Sequence, residues 1–341
     1  MAQPGPAMMW TQYLAARSVA AMLTSFDIRL NLRGAGHVGD LLYRFGRKHA
    51  QRAIDNLQRS YPDWSAQQVE QTARASMRHL VEFTVDTLHT PRLIHANNWP
   101  QRIQATQLGQ AVSVLNTGRP VILVTGHMGN FELLGYALAV LGYDIDAVAR
   151  PLDNPLISDW IFSIREKQGM RVITKRNATD QMVGALNSGR ALGFIADQNA
   201  GDKGTFVPFF DRLASAHKSI AILATQMNAT IVCGYAFRSG SRSAPQFHYD
   251  VGTTDIIHPE DWADQPDPWY YITARYTRAL EAMVRLRPDQ YWWMHRRWKS
   301  RPRHERQGKP MPASLTRKLE SLPWMTPKLL ADVSQPVPRS L

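Results

Sequence analysis

Cysteine is almost absent from this sequence. Cys233 is the single cysteine among 341 residues, so an intrachain disulfide framework is excluded, and a reducing, cytosolic environment fits this usage. The residue lies within an apolar run at positions 230–237, which predicts a buried thiol. No G-x-S-x-G motif offers a serine nucleophile instead, so covalent nucleophilic catalysis is not predicted.

Long apolar stretches are also missing. No run of about 18 or more uncharged apolar residues occurs, so the sequence predicts no membrane-spanning helix. Residues 8–23 come closest, but polar residues and Arg17 interrupt them, and no basic segment precedes them as in a signal peptide. On a helix, one face would carry Met8, Met9, Tyr13, Ala16 and Ala20. That face predicts either a helix in the lipid headgroup region or a helix packed against the domain.

The common nucleotide and zinc motifs are missing too. Neither G-x-x-x-x-G-K-[ST] nor G-x-G-x-x-G stands at a strand end, so a nucleotide cofactor is not indicated. A typical zinc-binding motif has two histidines one helical turn apart with a glutamate beside the first. No such pair occurs in this sequence. We therefore expect neither a cofactor nor a metal ion.

The composition indicates a folded chain with an anionic partner. Hydrophobic residues make up 44% and charged residues 20% of the sequence, which is typical of a globular protein. The net charge of +12 favours nucleic acid, an anionic membrane surface or an acidic carrier protein as a partner.

The stretch PVILVTGHMGNFELLG at residues 120–135 organises the chain. Its apolar, β-branched start predicts a buried strand, the residues after Phe131 predict a helix, and a glycine-bearing turn joins the two. His127 would then lie at the carboxyl end of a strand, where open α/β folds usually bind ligands. Glu132, in the first helical turn, could return to His127 to form an acid–base dyad, or could only complement the helix dipole.

Apolar segments alternate with helical patterns after residue 118. Strands are predicted at 121–125, 144–149, 171–174, 191–196 and 230–237, with an added edge strand at 246–251. Helices are predicted between them at 131–141, 155–168, 179–187 and 217–228. Such alternation predicts an α/β fold with a mainly parallel or mixed central sheet flanked by helices. Earlier helices at 38–57 and 65–88, the second with a capping box at Ser65 and Gln68, are predicted to cover the sheet.

Polar residues follow two further predicted strands. Arg150 closes the second core strand, where its guanidinium could bind phosphate or carboxylate, or pair with Asp153 to hold the turn. Asp197 and Gln198 end the fourth core strand, and they would share a sheet edge with His127 if these strands are parallel.

Two aromatic segments have both a structural and a functional interpretation. Phe206, Phe209 and Phe210 could line an apolar channel, although aromatic runs are more typical of cores. Residues 288–299 mix tyrosine and tryptophan with cationic residues, which suits a membrane headgroup zone, single-stranded nucleic acid or an element closing over the core. Beyond residue 300, dense proline and basic residues predict a mostly extended tail.

Five motifs follow one another in a characteristic order. They are GHMGNFE at 126–132, RPLDNP at 150–155, ADQN at 196–199, VPFF at 207–210 and PDQYWWMHRRWK at 288–299. In content and order they resemble the lipid A biosynthesis (late, lauroyl or myristoyl) acyltransferase family, over roughly residues 40–300. The resemblance implies a glycerol-phosphate acyltransferase-like fold and an O-acyltransferase in which His127, oriented by Glu132, deprotonates a hydroxyl that attacks a thioester.

The resemblance also implies substrates and the residues that bind them. The donor would be acyl carrier protein or acyl-CoA, and the acceptor an anionic membrane glycolipid such as a lipid A precursor, with another phospholipid or glycolipid as the alternative. Arg165 matches a second arginine position of the family. Asp197 could orient either arginine or bind the acceptor sugar, and Arg165 or backbone amides near Gly129 could stabilise the oxyanion. The expected substrate-binding residues are Arg150, Arg165, Asp197, Gln198 and Asn130.

The predicted organisation has three parts. Residues 1–34 form an interfacial or packed helix, residues 35–300 an acyltransferase domain (helical cover 35–95, α/β core 118–300), and residues 301–341 a basic, proline-rich tail. Members of the family commonly begin with a membrane-spanning helix, and this chain departs from that pattern. We therefore expect a helical, membrane-facing N-terminus and peripheral or monotopic attachment to the cytoplasmic face of the bacterial inner membrane. A basic nucleic-acid-binding protein is the remote alternative.

Overall fold

A seven-stranded, mostly parallel sheet lies at the centre of the molecule. The computed structural model describes residues 5–106, 108–166, 170–174, 177–240 and 246–335. The strand order is β1-β9-β8-β2-β5-β3-β4, and only the β8–β9 pair is antiparallel. The strands are β1 Ile103–Ala105, β2 Val121–Thr125, β3 Ile145–Val148, β4 Arg171–Ile173, β5 Ala191–Ile195, β8 Thr230–Arg238 and β9 Tyr249–Ile257. The predicted mainly parallel or mixed sheet is confirmed.

Helices cover this sheet, as the alternating pattern predicts. In chain order they are α1 Pro6–Thr24, α2 Ile28–Phe45, α3 Arg47–Ser60, α4 Ala66–Leu93, α5 Gly109–Leu115, α6 Phe131–Val140, α7 Pro155–Glu166, α8 Ala178–Asn187, α9 Ser219–Met227, α10 Pro268–Leu286, α11 Arg303–Arg306, α12 Ala313–Glu320 and α13 Pro327–Ser334. The capping box of Ser65 and Gln68 is present at the start of α4. The predicted end of α7 at Gln168 lies outside the described residues.

Two sequence predictions about single elements are wrong. The helix predicted over 38–57 is two helices, because Gly46 ends α2 and begins α3. The strand predicted at 246–251 is not at the edge of the sheet, since β1 pairs with β9 on its outer side. The short β1, with three residues, gives too little apolar periodicity to be predicted.

The aromatic segment at 205–210 belongs to the core. It forms β6 Thr205–Phe209, which pairs with β7 Arg212–Ala216 in an antiparallel hairpin. Phe209 and Phe210 are fully buried, and the ring of Phe210 contacts Trp293. These two rings therefore fill the core, in agreement with the structural interpretation and against a channel.

Residues 301–335 do not form an extended tail. Helices α12 and α13 and the turn between them pack on the main core through Leu319, Leu322 and Val333, which are all buried, and Trp324 contacts Tyr271 of α10. The prediction from composition is wrong here because a few apolar residues at suitable positions anchor helices whose remaining residues are polar. Residues 336–341 lie outside the described part of the chain.

The N-terminal helices lie on the surface. In α1, Tyr13 and Ala16 are partly buried and Ala20 is buried, so most of the apolar face predicted from the sequence is turned toward the protein. Met8, which the helical period places on the same face, is 58% exposed. Among the described residues, no helix has the length and apolar character needed to span a bilayer.

Candidate active site

Two neighbouring parallel strands bring His127 and Asp197 together. Strands β2 and β5 pair in a register that sets Thr125 opposite Ile195. The residues two positions further along each strand therefore leave the same edge of the sheet side by side. These residues are His127 and Asp197, and the prediction that they share a sheet edge is confirmed.

The two side chains form a buried acid–base pair. Nδ1 of His127 lies 2.7 Å from Oδ1 of Asp197, and the backbone N–H of His127 donates to Oδ2 at 3.0 Å. The Asp197 side chain is fully buried, and the His127 side chain is 11% exposed. Burial alone would raise the pKa of Asp197, but the charge of His127 and its hydrogen bonds hold this pKa below the ordinary value. Asp197 is thus an ionised acceptor that fixes the Nδ1–H tautomer of His127.

The turn that carries His127 is held from two sides. The N–H of Gly129 donates to the carbonyl of Gln290 at 2.9 Å, and the N–H of Trp292 donates to the carbonyl of His127 at 3.1 Å. Gly129 has φ +53°, and a Cβ at this position would lie 2.1 Å from the carbonyl oxygen of Ala236. Only glycine therefore fits this turn. Residues 288–299 therefore close over the turn that carries His127. A closing element was one of the three roles predicted for this segment.

Aromatic rings surround the imidazole of His127. The ring centroids of Phe131, Trp292 and His295 lie 5.2, 5.1 and 4.6 Å from that of His127. Phe83 of α4 stacks on Phe131 and contacts Trp292 edge-on. Most of the imidazole is therefore surrounded by aromatic carbon rather than by polar groups.

Glu132 does not orient His127. Its carboxylate accepts two hydrogen bonds from Arg165 of α7, one of them from Nε at 2.7 Å and the other from Nη2. The predicted orienting role is wrong because the Nδ1 position of His127 is already taken by Asp197. The roles predicted for Asp197, as a partner of Arg150 or Arg165, are likewise replaced by its pairing with His127. Glu132 and Arg165 form a second charged pair, whose side chains are 14% and 17% exposed.

Of the other predicted substrate-binding residues, Gln198 contacts His127, whereas Asn130 and Arg150 do not. Gln198 is exposed, and its Nε2 lies 3.4 Å from Nε2 of His127. Asn130 is fully buried, where it caps α6 by accepting from the N–H of Leu133 and contacts the hydroxyl of Tyr249. This capping role explains why Asn130 is not available to a substrate. Arg150 is exposed just after β3, and no hydrogen bond between described residues joins it to the His127 pair.

The backbone amides of Met128, Gly129 and Asn130 are not free to stabilise an oxyanion. Besides the bond from Gly129, the N–H of Met128 donates to Gly126 at 2.7 Å and the N–H of Asn130 donates to Ala236 at 2.7 Å. These bonds hold the turn in place. These three amides are therefore not the predicted source of oxyanion stabilisation, and Arg165 stays a prediction for that role.

His295 is a site residue that the sequence reasoning did not single out. Burial, together with the charge of His127, lowers the pKa of His295 to about 4, so the imidazole is neutral near pH 7. His127, Asp197 and His295 also bring one potential metal-ligand atom each to within 4.8 Å of one another. The 2.7 Å hydrogen bond between His127 and Asp197 uses two of these ligands as a proton donor and its acceptor, which suits acid–base chemistry. The sequence signal for His295 is its place in YWWMHRRW, a motif that the resemblance to the family already includes.

Comparison with known proteins identifies the family to which this chain belongs. The family profile of the bacterial lipid A biosynthesis acyltransferases matches residues 5–300. This chain belongs to that family. The lipid A biosynthesis palmitoleoyltransferase of Escherichia coli K12 is 26% identical over 273 residues, which cover 78% of this chain and 83% of the relative. The lauroyltransferase of the same organism is 24% identical over 271 residues, covering 78% of this chain and 84% of the relative. A lipid A biosynthesis acyltransferase of Haemophilus influenzae is 22% identical over 280 residues, covering 80% and 83%.

Membership of the lipid A biosynthesis acyltransferase family confirms the resemblance drawn from the five motifs. The matched region contains every strand of the central sheet and both charged pairs. The chain is therefore an enzyme that transfers acyl groups.

Proposed function

We propose that this enzyme transfers a fatty acyl chain from an acyl thioester to a hydroxyl of a lipid A precursor, with His127 as the general base. The observation that carries the proposal is the pairing of Nδ1 of His127 with the buried, ionised Asp197. This pairing leaves Nε2 with a lone pair whose one hydrogen-bond-range neighbour in the described part of the chain is the exposed amide of Gln198. A substrate hydroxyl can displace that amide and present its proton to Nε2.

The reaction needs one base and no covalent intermediate on the protein. Nε2 of His127 takes the hydroxyl proton while the hydroxyl oxygen attacks the thioester carbonyl carbon, which gives a tetrahedral oxyanion. Asp197 stabilises the imidazolium that forms. Collapse of the intermediate breaks the carbon–sulfur bond, and the imidazolium returns its proton to the leaving thiolate. Cys233 is fully buried in β8, and burial raises the pKa of its thiol, so it takes no part.

The Glu132–Arg165 pair is proposed to bind and polarise the substrate. Glu132 holds the guanidinium of Arg165 in a two-pronged contact, which fixes the directions of its remaining N–H groups. A fixed guanidinium suits a phosphate of the acceptor or the oxygen of the developing oxyanion. Arg150, exposed at the end of β3, is proposed as a second contact for an anionic group, and Gln198 as a contact for the acceptor hydroxyl.

The wider setting follows from the family. We propose acyl carrier protein or acyl-CoA as the donor, an anionic membrane glycolipid as the acceptor, and peripheral or monotopic attachment to the cytoplasmic face of the inner membrane. The sheet and its helices are proposed to be a glycerol-phosphate acyltransferase-like domain spanning residues 35–300. The named relatives act in lipid A biosynthesis, which favours a lipid A precursor over other lipid acceptors.

Acyl transfer with a labelled donor tests the proposal. The full chain is incubated with radiolabelled acyl carrier protein or acyl-CoA and, in parallel reactions, with a lipid A precursor, total phospholipid or no acceptor. We expect label in the lipid A precursor and at least a hundredfold loss of transfer in His127→Ala, the scale of a missing general base. Transfer that His127→Ala retains, or label that enters phospholipid alone, would contradict the proposal.

A further inference from the structure

The second arginine of the HRRW sequence in residues 288–299 is buried without an ion pair. Arg297 is 2% exposed, and its guanidinium carbon lies 5.1 Å from the centre of the Phe209 ring. Its Nη1 donates to the carbonyl of Ser215 at 2.5 Å, whereas Nε and Nη2 have no hydrogen-bond partner in the described part of the chain. Arg297 also takes part in none of the ion pairs between described residues. A buried charge strongly destabilises a fold unless an opposite charge offsets it.

This guanidinium lies beside the loop that follows β5. The carbonyl of Ser215 accepts from Arg297 and also from the N–H of Ala200, the latter at 3.3 Å. Asn199 of the same loop is joined to Ser300 by two hydrogen bonds, both of 3.2 Å. The segment that carries Arg297 is therefore fastened along the loop that begins with the carboxylate partner of His127.

Asp197 supplies the negative charge that acts on the guanidinium. Burial lowers the pKa of Arg297, and among the groups that oppose this change Asp197 is the one carboxylate in the part of the chain that the structure describes. The other two groups are the phenols of Tyr291 and Tyr276. Burial and the charge of Asp197 raise the pKa of Tyr291, so its hydroxyl stays neutral. A buried cation and a buried anion therefore act on each other behind the His127 pair.

Three imidazoles are the other titratable groups around these two charges. His127 and His295 act on Asp197, and His127 binds it directly at 2.7 Å. His217 belongs to the surroundings of Arg297, since burial and the charge of Arg297 lower its pKa. Among the described residues, no second carboxylate thus shares the charge of Arg297.

We propose that Arg297 is a positioning residue of the active site, the buried counter-charge that keeps Asp197 ionised and directed at Nδ1 of His127. It acts through Asp197 and not by contact with a substrate. A nearby cation also disfavours the protonated imidazole, so more of the enzyme holds a free base at a given pH. The inference rests on the proposed function only for its effect on turnover, because the charge pair itself is tested without a substrate.

A double-variant cycle on stability tests the charge pair. Urea midpoints of the full chain are compared for Arg297→Met, Asp197→Asn and the double variant. Each single variant leaves one buried charge without its counterpart, so both midpoints are expected below that of wild type. The double variant removes both charges, so its midpoint is expected above those of the two single variants. It is expected to fold even where Arg297→Met alone does not.

Arg212→Met is the matched control for this cycle. Arg212 is also buried, at 8% exposure, and its Nε has no hydrogen-bond partner in the described ranges. The charged groups that act on it are Arg59, Arg301, Asp211 and Glu281, and Asp197 is not among them. Arg212→Met is therefore expected to lower the urea midpoint equally in wild type and in Asp197→Asn.

The pH profile of kcat/KM tests the effect on the base. In Arg297→Met the acidic limb is expected to move to higher pH by about one unit, because the missing cation no longer opposes protonation of the imidazole. Arg297→Lys keeps the charge and is expected to keep the wild-type limb. A residue that only packs, or only binds the carbonyl of Ser215, would be replaced equally poorly by lysine and by methionine.

Two outcomes would overturn the inference. A double variant with a lower midpoint than both single variants would show that Arg297 and Asp197 contribute independently. An Arg297→Met enzyme with the acidic limb of wild type would show that the guanidinium does not act on the base. Absence of acyl transfer by wild type would contradict the proposed function instead, and the stability cycle would still decide the charge pair.

Discussion

His127 and Asp197, seventy positions apart in the sequence, meet through a 2.7 Å contact between Nδ1 and Oδ1 at one edge of the sheet. The contact depends on β2 and β5 being neighbours in the sheet. It gives the imidazole a buried carboxylate partner, so Glu132 is free to form its ion pair with Arg165. Three consequences follow for the site: one nitrogen of His127 is fixed, the other is open to substrate, and the guanidinium of Arg165 is directed by its own carboxylate.

Glu132 and Arg165 should behave as one unit in substrate binding. Glu132→Gln and Arg165→Gln are each expected to lower kcat/KM for the lipid acceptor, because both break the same partly buried pair. The double variant should lose less than the sum of the two singles, with a coupling of about 1–3 kcal/mol. Steady-state kinetics measures the cycle. Asp202→Asn, which breaks the exposed pair with Arg306, is the control and should leave kcat/KM unchanged.

Gly129 should tolerate no side chain. In Gly129→Ala, the added Cβ meets the carbonyl of Ala236 at a φ of +53°, so we expect a loss of unfolding free energy of about 3 kcal/mol and a lower kcat as His127 shifts. Gly142→Ala separates strain from steric clash, since Gly142 also has positive φ but open space around it. That variant should cost about 1 kcal/mol and keep its activity. Equal effects of the two substitutions would refute the steric argument.

Stability should fall as the pH is lowered from about 6.5, because of buried neutral histidines. Burial lowers the pKa of His79 to about 3, while the unfolded chain titrates near 6.5. Between these values the unfolded state binds a proton that the folded state rejects, so the unfolding free energy drops by up to about 1.4 kcal/mol per pH unit. Urea denaturation at pH 7 and pH 5 should show a drop about 2 kcal/mol smaller in His79→Gln than in wild type. An unchanged drop would show that His79 is already protonated in the fold.

The C-terminal helices should contribute to stability. Leu319 of α12 is fully buried, so Leu319→Ala is expected to lower the unfolding free energy by about 2–5 kcal/mol. Arg317 lies on the exposed side of the same helix, and Arg317→Ala should change stability by less than about 0.5 kcal/mol. Chemical denaturation of the two variants makes the comparison. Indistinguishable midpoints would mean that residues 313–320 are not docked in solution.

The sequence predicts individual elements well and their assembly less well. Strand β2 is predicted with its observed ends because a short β-branched run between a proline and a glycine turn has few alternatives. The partner of His127 could not be chosen, since Glu132 is near in sequence whereas Asp197 is near only once the strand order is known. Local spacing therefore favoured the wrong carboxylate.

Composition gave a wrong prediction for the segment after residue 300, where a few apolar residues determine the structure. Proline and arginine dominate the segment after residue 300, yet Leu319, Leu322 and Val333 are enough to dock its helices. The opposite happened at α1, where the apolar face predicted from the helical period is mostly the packed face and the other side is also apolar. A helix that is apolar all round does not reveal from its sequence which side faces the protein.

The most direct test of the account is the kcat of Asp197→Asn compared with that of Glu132→Gln. An asparagine amide at position 197 would donate to Nδ1 and place the imidazole proton on Nε2, where it blocks the base. We predict that Asp197→Asn, with its fold verified by circular dichroism, loses about two to four orders of magnitude in kcat. Glu132→Gln should keep kcat within about tenfold of wild type. An Asp197→Asn enzyme with near wild-type kcat, beside a Glu132→Gln enzyme without activity, would contradict the account and restore Glu132 as the partner of His127.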